Sequence, residues 1–327
     1  MRDGRGAGFV HHANIYGSDD EFLAMAVPFV EDGLARGEPV LVTTTSANLA
    51  LLGAALGGAA RTVDYAESAY FGRRPPQRVA AFHRYWSRHA GAVGDGHVRI
   101  LAEPVWPGRS PAEVLAWKRM ESGLNVLLAG TNIWMICPYD RRAAAPDVVA
   151  AATRTHPVRV DGCDVHDCPD YVDPPAFALA CDADPLPDPP PDAARHGVDG
   201  DLRAPRRFLA AQAAAHGLTG EPASLLLVAA VEVVTEAIER GSGRATVSVW
   251  EEFGSLVVDV DDQAGGGAEE LADPFAGYRQ PGLDADPQDG LWLARQLCDA
   301  VDIRAGERRR TVRLRFPSRH APEPLQP

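Results

Sequence analysis

Residues 225–241, LLLVAAVEVVTEAIERG, set the tightest constraint on the fold, because a helix-forming stretch there must hide one face and still carry carboxylates. Leu226, Ala229, Ala230, Val233, Ala237 and Ile238 recur at helical spacing and make one apolar stripe. Glu232 and Glu236 are four residues apart, so they project from one face, one above the other. Like charges stacked this way repel unless a cation, a proton or solvent relieves them. A solvated face is the plain reading of such a pair, and the sequence downstream argues instead for a site.

Residues 245–250 and 255–261 are alternating, β-branched segments that read as a hairpin. The second runs through Asp261 and Asp262 into a glycine-rich stretch at 264–267, suited to close approach of backbone to a ligand. A loop rich in Pro, Gly and Asp leads to an amphipathic helix, GLWLARQLCD at 290–299, and the chain closes on strands at 301–304 and 311–316. Helix, hairpin, Asp/Gly loop, glycine-started helix, hairpin is the order of the GHKL (HATPase_c) ATP-binding fold. Residues 201–317 resemble that family, and specifically its anti-sigma-factor serine kinase branch. The resemblance implies a C-terminal α/β sandwich of the Bergerat type that takes ATP and Mg²⁺. It implies that Glu232 is the general base on a target serine or threonine and that Glu236 occupies the Mg²⁺-holding position. It also implies that Asp262 reads the adenine amino group, and that Gly266, Gly290 and Thr311 belong to the nucleotide-binding motifs.

Four departures from that pattern argue against a working kinase. Glu236 replaces an asparagine; a carboxylate is a competent Mg²⁺ ligand but adds negative charge beside a triphosphate. Ala264 replaces a motif glycine, Gln288 and Asp289 replace a Gly-Arg pair, and Arg309 and Arg310 replace Gly-Thr ahead of Thr311. Asp284, Asp286 and Asp289 load the lid with acids that repel ATP. Phosphoryl transfer depends almost wholly on positioning and charge stabilisation. The expectation is therefore weak or absent ATP binding and a degenerate kinase, a pseudokinase acting by protein binding. The rival is an active serine/threonine kinase with Glu232 as base and Glu236 on the metal.

At 327 residues the chain has room for two domains. Its net charge of −13 excludes general nucleic-acid binding, and Arg308, Arg309 and Arg310 read as a β-turn. No apolar run reaches membrane-spanning length and no leader precedes the first strand, so a cytoplasmic location without membrane attachment is expected. Five cysteines do not make a disulfide framework. Residues 1–8 and 318–327 read as a disordered start and a tail.

Strands at 9–16, 39–45, 61–64, 97–102 and 132–137 alternate with helices at 18–33, 46–57 and from Ser110 onward, which implies a parallel sheet wrapped on both sides. Ser110, Pro111 and Glu113 make a capping box. Thr43–Ser46, where a RecA-like ATPase keeps its P-loop, lacks the glycines and lysine that phosphate needs, so nucleotide hydrolysis is rejected there. The runs EPVWPGRSPAE at 103–113, CPYD at 137–140 and THP at 155–157 resemble the MEDS sensory domain, known from methanogen and methylotroph regulators and from actinobacterial anti-sigma proteins. Met120 and Arg74 depart from it, standing where the family has His and Asn. The N-terminal domain, 9–160, is accordingly expected to be a RecA-like parallel α/β domain.

Open α/β sheets bind ligands outside their strand C-termini. Glu103, Arg109, Glu121, Tyr139 and Asp140, joined by His11 and Tyr16 from the first strand, are the expected cluster for a small-molecule ligand. The alternative is a Glu103–Arg109 pair that only holds a Pro-rich loop, with Trp106 as packing. Residues 161–200, rich in Asp, Pro and Ala, read as an extended linker. Cys163, His166, Cys168 and Cys181 within it lack a zinc-finger spacing, so no zinc site is expected there. The combined reading is a signalling regulator of the partner-switching type, directed at a sigma factor, a STAS-type anti-sigma antagonist, or both. A rival makes the MEDS-like domain the main ligand-binding module and the C-terminal domain a homodimerisation surface.

Overall fold

The computed structural model describes residues 8–240, 243–262, 273–279, 289–305 and 309–317. The tail 318–327 and all but Gly8 of the expected disordered start lie outside the described residues. The chain divides into two compact units, Met1–Cys181 and Asp182–Pro327.

In the first unit, strands β1 (Val10–Tyr16), β2 (Val40–Thr44), β3 (Asp64–Glu67), β4 (Val98–Ala102) and β5 (Ile133–Asp140) alternate with helices α1 (Asp19–Ala35), α2 (Ser46–Leu56), α3 (Pro75–His89) and α4 (Pro111–Leu127). Helix α5 (Pro146–Thr155), strands β6 (Val158–Asp161) and β7 (Asp164–Asp167) and helix α6 (Pro174–Cys181) complete it. The sheet runs β3-β2-β4-β5-β1-β6-β7, with β7 antiparallel to β6 and every other neighbouring pair parallel. This is the parallel α/β architecture that the strand and helix alternation demands. The central strands β2 and β4 are buried throughout, as expected of strands covered on both faces.

Helix starts follow their capping residues. The Ser18 side chain accepts from the Glu21 N–H ahead of three acids in the first turn of α1, and Ser110 and Glu113 form the full capping box of α4. β2 reaches α2 through Thr45 alone, whose hydroxyl accepts from the Asn48 N–H. The strand expected at 61–64 lies instead at Asp64–Glu67, because residues 57–62 wind into a 3₁₀ helix. Across the middle of the sheet, buried Arg99 bridges Glu38 and Asp32, 2.5 Å from each, with its guanidinium 4.6 Å from the Trp134 ring centre.

The second unit consists of β8 (Ala194–Val198), α7 (Arg203–Ala215), α8 (Gly220–Arg240), β9 (Ala245–Glu252), β10 (Ser255–Asp262), α9 (Asp289–Leu297), β11 (Ala300–Ala305) and β12 (Arg310–Pro317). Its antiparallel sheet runs β11-β12-β10-β9-β8. The helices share one core with the sheet, in which Leu209, Leu226, Val233, Val258, Leu291 and Leu314 are all buried. This is the expected α/β sandwich. Helices α8 and α9 come so close that a Cβ at Gly290 would lie 3.2 Å from the Glu232 carbonyl oxygen. Gly290 thus suits this close packing, and a side chain there pushes the helices apart by a few tenths of an ångström.

The linker reading of 161–200 is corrected by the fold. β7 adds to the first sheet, and α6 buries Phe177 and Ala178, with the Arg154 guanidinium 5.2 Å from the Phe177 ring centre. Residues 182–191 form a strap held by arginines of the second unit. Arg304 pairs with Asp182 at 2.8 Å and donates to the Asp184 carbonyl, Arg313 donates to the Pro187 carbonyl at 2.7 Å, and Arg195 donates to the carbonyls of Pro189, Pro190 and Pro191. Proline removes N–H donors but leaves every carbonyl free to accept, so a Pro-rich run is held well by guanidinium groups.

Arg313 also pairs with buried Asp259 through two 2.7 Å hydrogen bonds and lies over the Trp250 ring. Replacing Arg313 with leucine strands that carboxylate, a loss of about 3–5 kcal/mol. The expected outcome is a lower thermal midpoint and new protease cleavage within 182–191, read by mass spectrometry. The double variant with Asp259→Leu recovers most of the stability.

Candidate functional site

Two groups of polar side chains converge in the first unit. At the C-terminal ends of the central strands, a cavity of about 400 Å³ is lined by residues that include Tyr16, Asn48, Glu103, Trp106, Asp140 and Arg142. Glu103, 4% exposed, is its organising group. It accepts from the Tyr16 hydroxyl at 2.6 Å, from the Thr44 hydroxyl, and from the Asn48 amide at 2.9 Å. Its backbone carbonyl accepts from buried Arg78 at 3.1 Å and from Ser68. Burial pushes the Glu103 carboxyl up from its ordinary value, and the three donors pull it back. Burial, with Glu103 alongside, raises the Tyr16 phenol, so it stays a donor. At the mouth, Arg142 pairs with Asp140 at 2.9 Å and with Asp19 at 3.0 Å.

Arg109 does not pair with Glu103. Its Nε donates to the Val105 carbonyl and its guanidinium stacks on Trp117, 3.9 Å from the ring centre. The alternative of a Glu103–Arg109 pair is therefore corrected: Arg109 does brace the Pro-rich loop, but through a carbonyl and an indole. Trp106, 7% exposed, stacks on Tyr139 at 6.0 Å while lining the cavity.

His11, Glu121 and Tyr139 belong to a second, fully buried group together with Cys137 and His156. His11 Nε2 lies 3.3 Å from Cys137 Sγ and 4.0 Å from Glu121 Oε2, and His156 Nε2 lies 3.7 Å from the same oxygen. Tyr139 meets His156 edge-on at 5.8 Å. Burial pushes Glu121 up to about 7, opposed by Arg78, and brings His156 down to about 3. The expected single cluster is thus two, one open to the cavity and one sealed.

In the second unit, α8 exposes Glu232 and buries Glu236, 3% exposed. Glu236 Oε1 accepts from Arg310 Nη2 at 3.1 Å and lies 3.4 Å from Arg240 Nε. Glu236 Oε2 has no hydrogen-bond partner, nor has Asp262 Oδ1 nearby on β10. Burial pushes both carboxyls up, and Arg310 lowers both. Thr311 donates to Asp261 at 2.5 Å, on the face of the sheet opposite Asp262. Arg309 pairs with the same Asp261 at 2.9 Å. Gly266, Ala264, Asp284, Asp286 and Gln288 lie outside the described residues, as does the side chain of Asp289.

A family model described as the methanogen/methylotroph, DcmR sensory domain, MEDS, matches residues 10–157. One described as a histidine kinase-like ATPase domain matches residues 198–316. The chain is a MEDS domain joined to a histidine kinase-like ATPase domain. A sensory domain and a kinase-like domain on one chain make a signalling regulator. No curated protein matches the chain. Among the described residues no helix is long and apolar enough to cross a membrane.

At Glu236 a Mg²⁺ ligand is opposed by the cations already there, although Oε2 is left without a partner. One of its oxygens is committed to two guanidinium groups, and a second cation there would face Arg310 directly. Arg310 was expected in a β-turn; it opens β12 instead, opposite Asp262, which sends its side chain to the helix side of the sheet. Sequence reasoning also missed Thr44, Asn48, Cys137 and His156. Cys137 and His156 do lie in the CPYD and THP runs of the MEDS domain, a signal that could have marked them.

Tyr16→Phe removes one of the donors to Glu103. The folded-state pKa of Glu103 lies above its unfolded value, so ionisation costs stability progressively as pH rises through that window. With a donor gone the ionised form costs roughly 1–3 kcal/mol more. The variant is expected to melt lower than the wild type at neutral pH, and the gap to narrow as acid protonates Glu103. Parallel thermal scans across the acidic range check both the sign and the narrowing.

Proposed function

We propose that this chain is a partner-switching regulator of the anti-sigma type. The MEDS domain senses a small ligand in the cavity over Glu103, and the ATPase-like domain acts by binding protein, with an ATP site that no longer supports phosphoryl transfer. Its partner is a sigma factor, a STAS-type anti-sigma antagonist, or both.

The observation that carries this reading is the buried Arg310–Glu236 pair. It puts a protein cation where the kinase resemblance calls for Mg²⁺, and so answers the charge of Glu236 from within the chain. The α8–α9 packing and the sheet are kept intact, which preserves binding surfaces without requiring a reaction centre.

A second reading, an active serine/threonine kinase, has its own support in the exposure of Glu232 and the orphaned Asp262 oxygen. A substrate hydroxyl can reach the first, and an adenine amino group can donate to the second. Calorimetric titration with Mg²⁺-ATP separates the two. Partner switching without catalysis predicts no saturable binding below the millimolar range and no labelled phosphate on a STAS protein. Low-micromolar affinity with transfer to a STAS serine, abolished by Glu232→Gln, overturns it.

A further inference from the structure

The sealed group in the MEDS domain is built like a metal centre. His11 lies on β1 and Cys137 on β5, and because Ala13 pairs with Cys137, the two side chains share one face of the sheet. Glu121 comes from α4 and His156 from the end of α5, both packed over that face. The four residues offer donor atoms that all lie within 4.8 Å of one another, and none is more than 2% exposed. We propose that His11, Glu121, Cys137 and His156 bind one divalent transition-metal ion of the zinc class. The assignment stands whether or not the partner-switching reading holds.

Three features point to an ion. Zinc bonds of 2.0–2.3 Å give a tetrahedron with edges of roughly 3.3–3.8 Å. The 3.3, 3.7 and 4.0 Å separations lie near those edges, and the others, none above 4.8 Å, contract on binding.

The histidines are also held in the tautomer a metal needs. His156 Nδ1 faces the Ala152 carbonyl at 2.9 Å, and His11 Nδ1 faces Asn125 Oδ1 at 3.1 Å. The Asn125 amide nitrogen is committed to the Ser122 and Thr155 carbonyls, at 3.1 and 2.9 Å, which fixes its oxygen as the acceptor. Each ring therefore carries its proton on Nδ1 and turns an Nε2 lone pair into the group.

Finally, His156 Nε2 and Glu121 Oε2 are buried without any hydrogen-bond partner. An ion supplies what both lack. A 2+ ion with one thiolate, one carboxylate and two neutral imidazoles carries no net charge, so the set is suited to a dry interior. The mixed N, S and O donors favour Zn²⁺ or Co²⁺ over Mg²⁺ and Ca²⁺.

The full chain, purified under reducing conditions and stripped with a chelator, is titrated with Co²⁺ and, in competition with a chromogenic chelator, with Zn²⁺. The expected result is one equivalent of Co²⁺ with the strong visible bands of four-coordination and a near-ultraviolet thiolate charge-transfer band. Zn²⁺ displaces it and raises the thermal midpoint. Asn125→Leu, which removes the group that orients His11 together with its hydrogen bonds to the Ser122 and Thr155 carbonyls, is expected to weaken Zn²⁺ roughly 10–100-fold. Cys137→Ser weakens it further and abolishes the charge-transfer band. A Cys163→Ser/His166→Gln control leaves both unchanged. Absence of stoichiometric binding to the wild type, or a Co²⁺ spectrum without thiolate character, overturns the proposal and leaves a neutral polar core cluster. Both decisive readings use the wild type and do not depend on any variant folding.

Discussion

A carboxylate taken out of water has to be met by donors or cations, and that requirement organises both units. Buried Glu38 pairs with Arg99 of β4, Glu103 draws together the ends of β1, β2 and β4, and Asp259 is clasped by Arg313 across the second sheet. Where the requirement is left partly unmet, the place is informative. Among the described residues, the buried carboxylate oxygens without a hydrogen-bond partner are Glu121 Oε2, Glu236 Oε2 and Asp262 Oδ1. All three fall in the two regions marked by the sequence as functional.

Within the MEDS domain, the open cavity and the sealed group are joined by aromatic contact. Trp106 lines the cavity and stacks on Tyr139, and Tyr139 meets His156 edge-on. The two polar centres thus share one aromatic wall.

The sequence made the skeleton legible wherever local chemistry decides structure. Ser18 and Ser110 start their helices, β2 and β4 read as buried strands, and the β9–β10 hairpin follows from alternation. Long-range pairing was not legible. His11 and Cys137 are 126 residues apart, and only the register of β1 on β5 puts them on one face. Arg310 looked like part of a basic turn because its role depends on which way β12 faces, and a one-residue change in register would reverse it. The reading of 161–200 failed for a different reason. Composition weighs what side chains can bury, whereas the strap over 182–191 is held by its carbonyl oxygens.

Attachment through the backbone makes the strap tolerant of substitution. Carbonyl oxygens are common to every amino acid, so apart from Asp182 the strap asks little of its own side chains beyond an extended path. Side chains along 183–191 can therefore be exchanged without touching these hydrogen bonds, whereas loss of Arg195, Arg304 or Arg313 unfastens the strap.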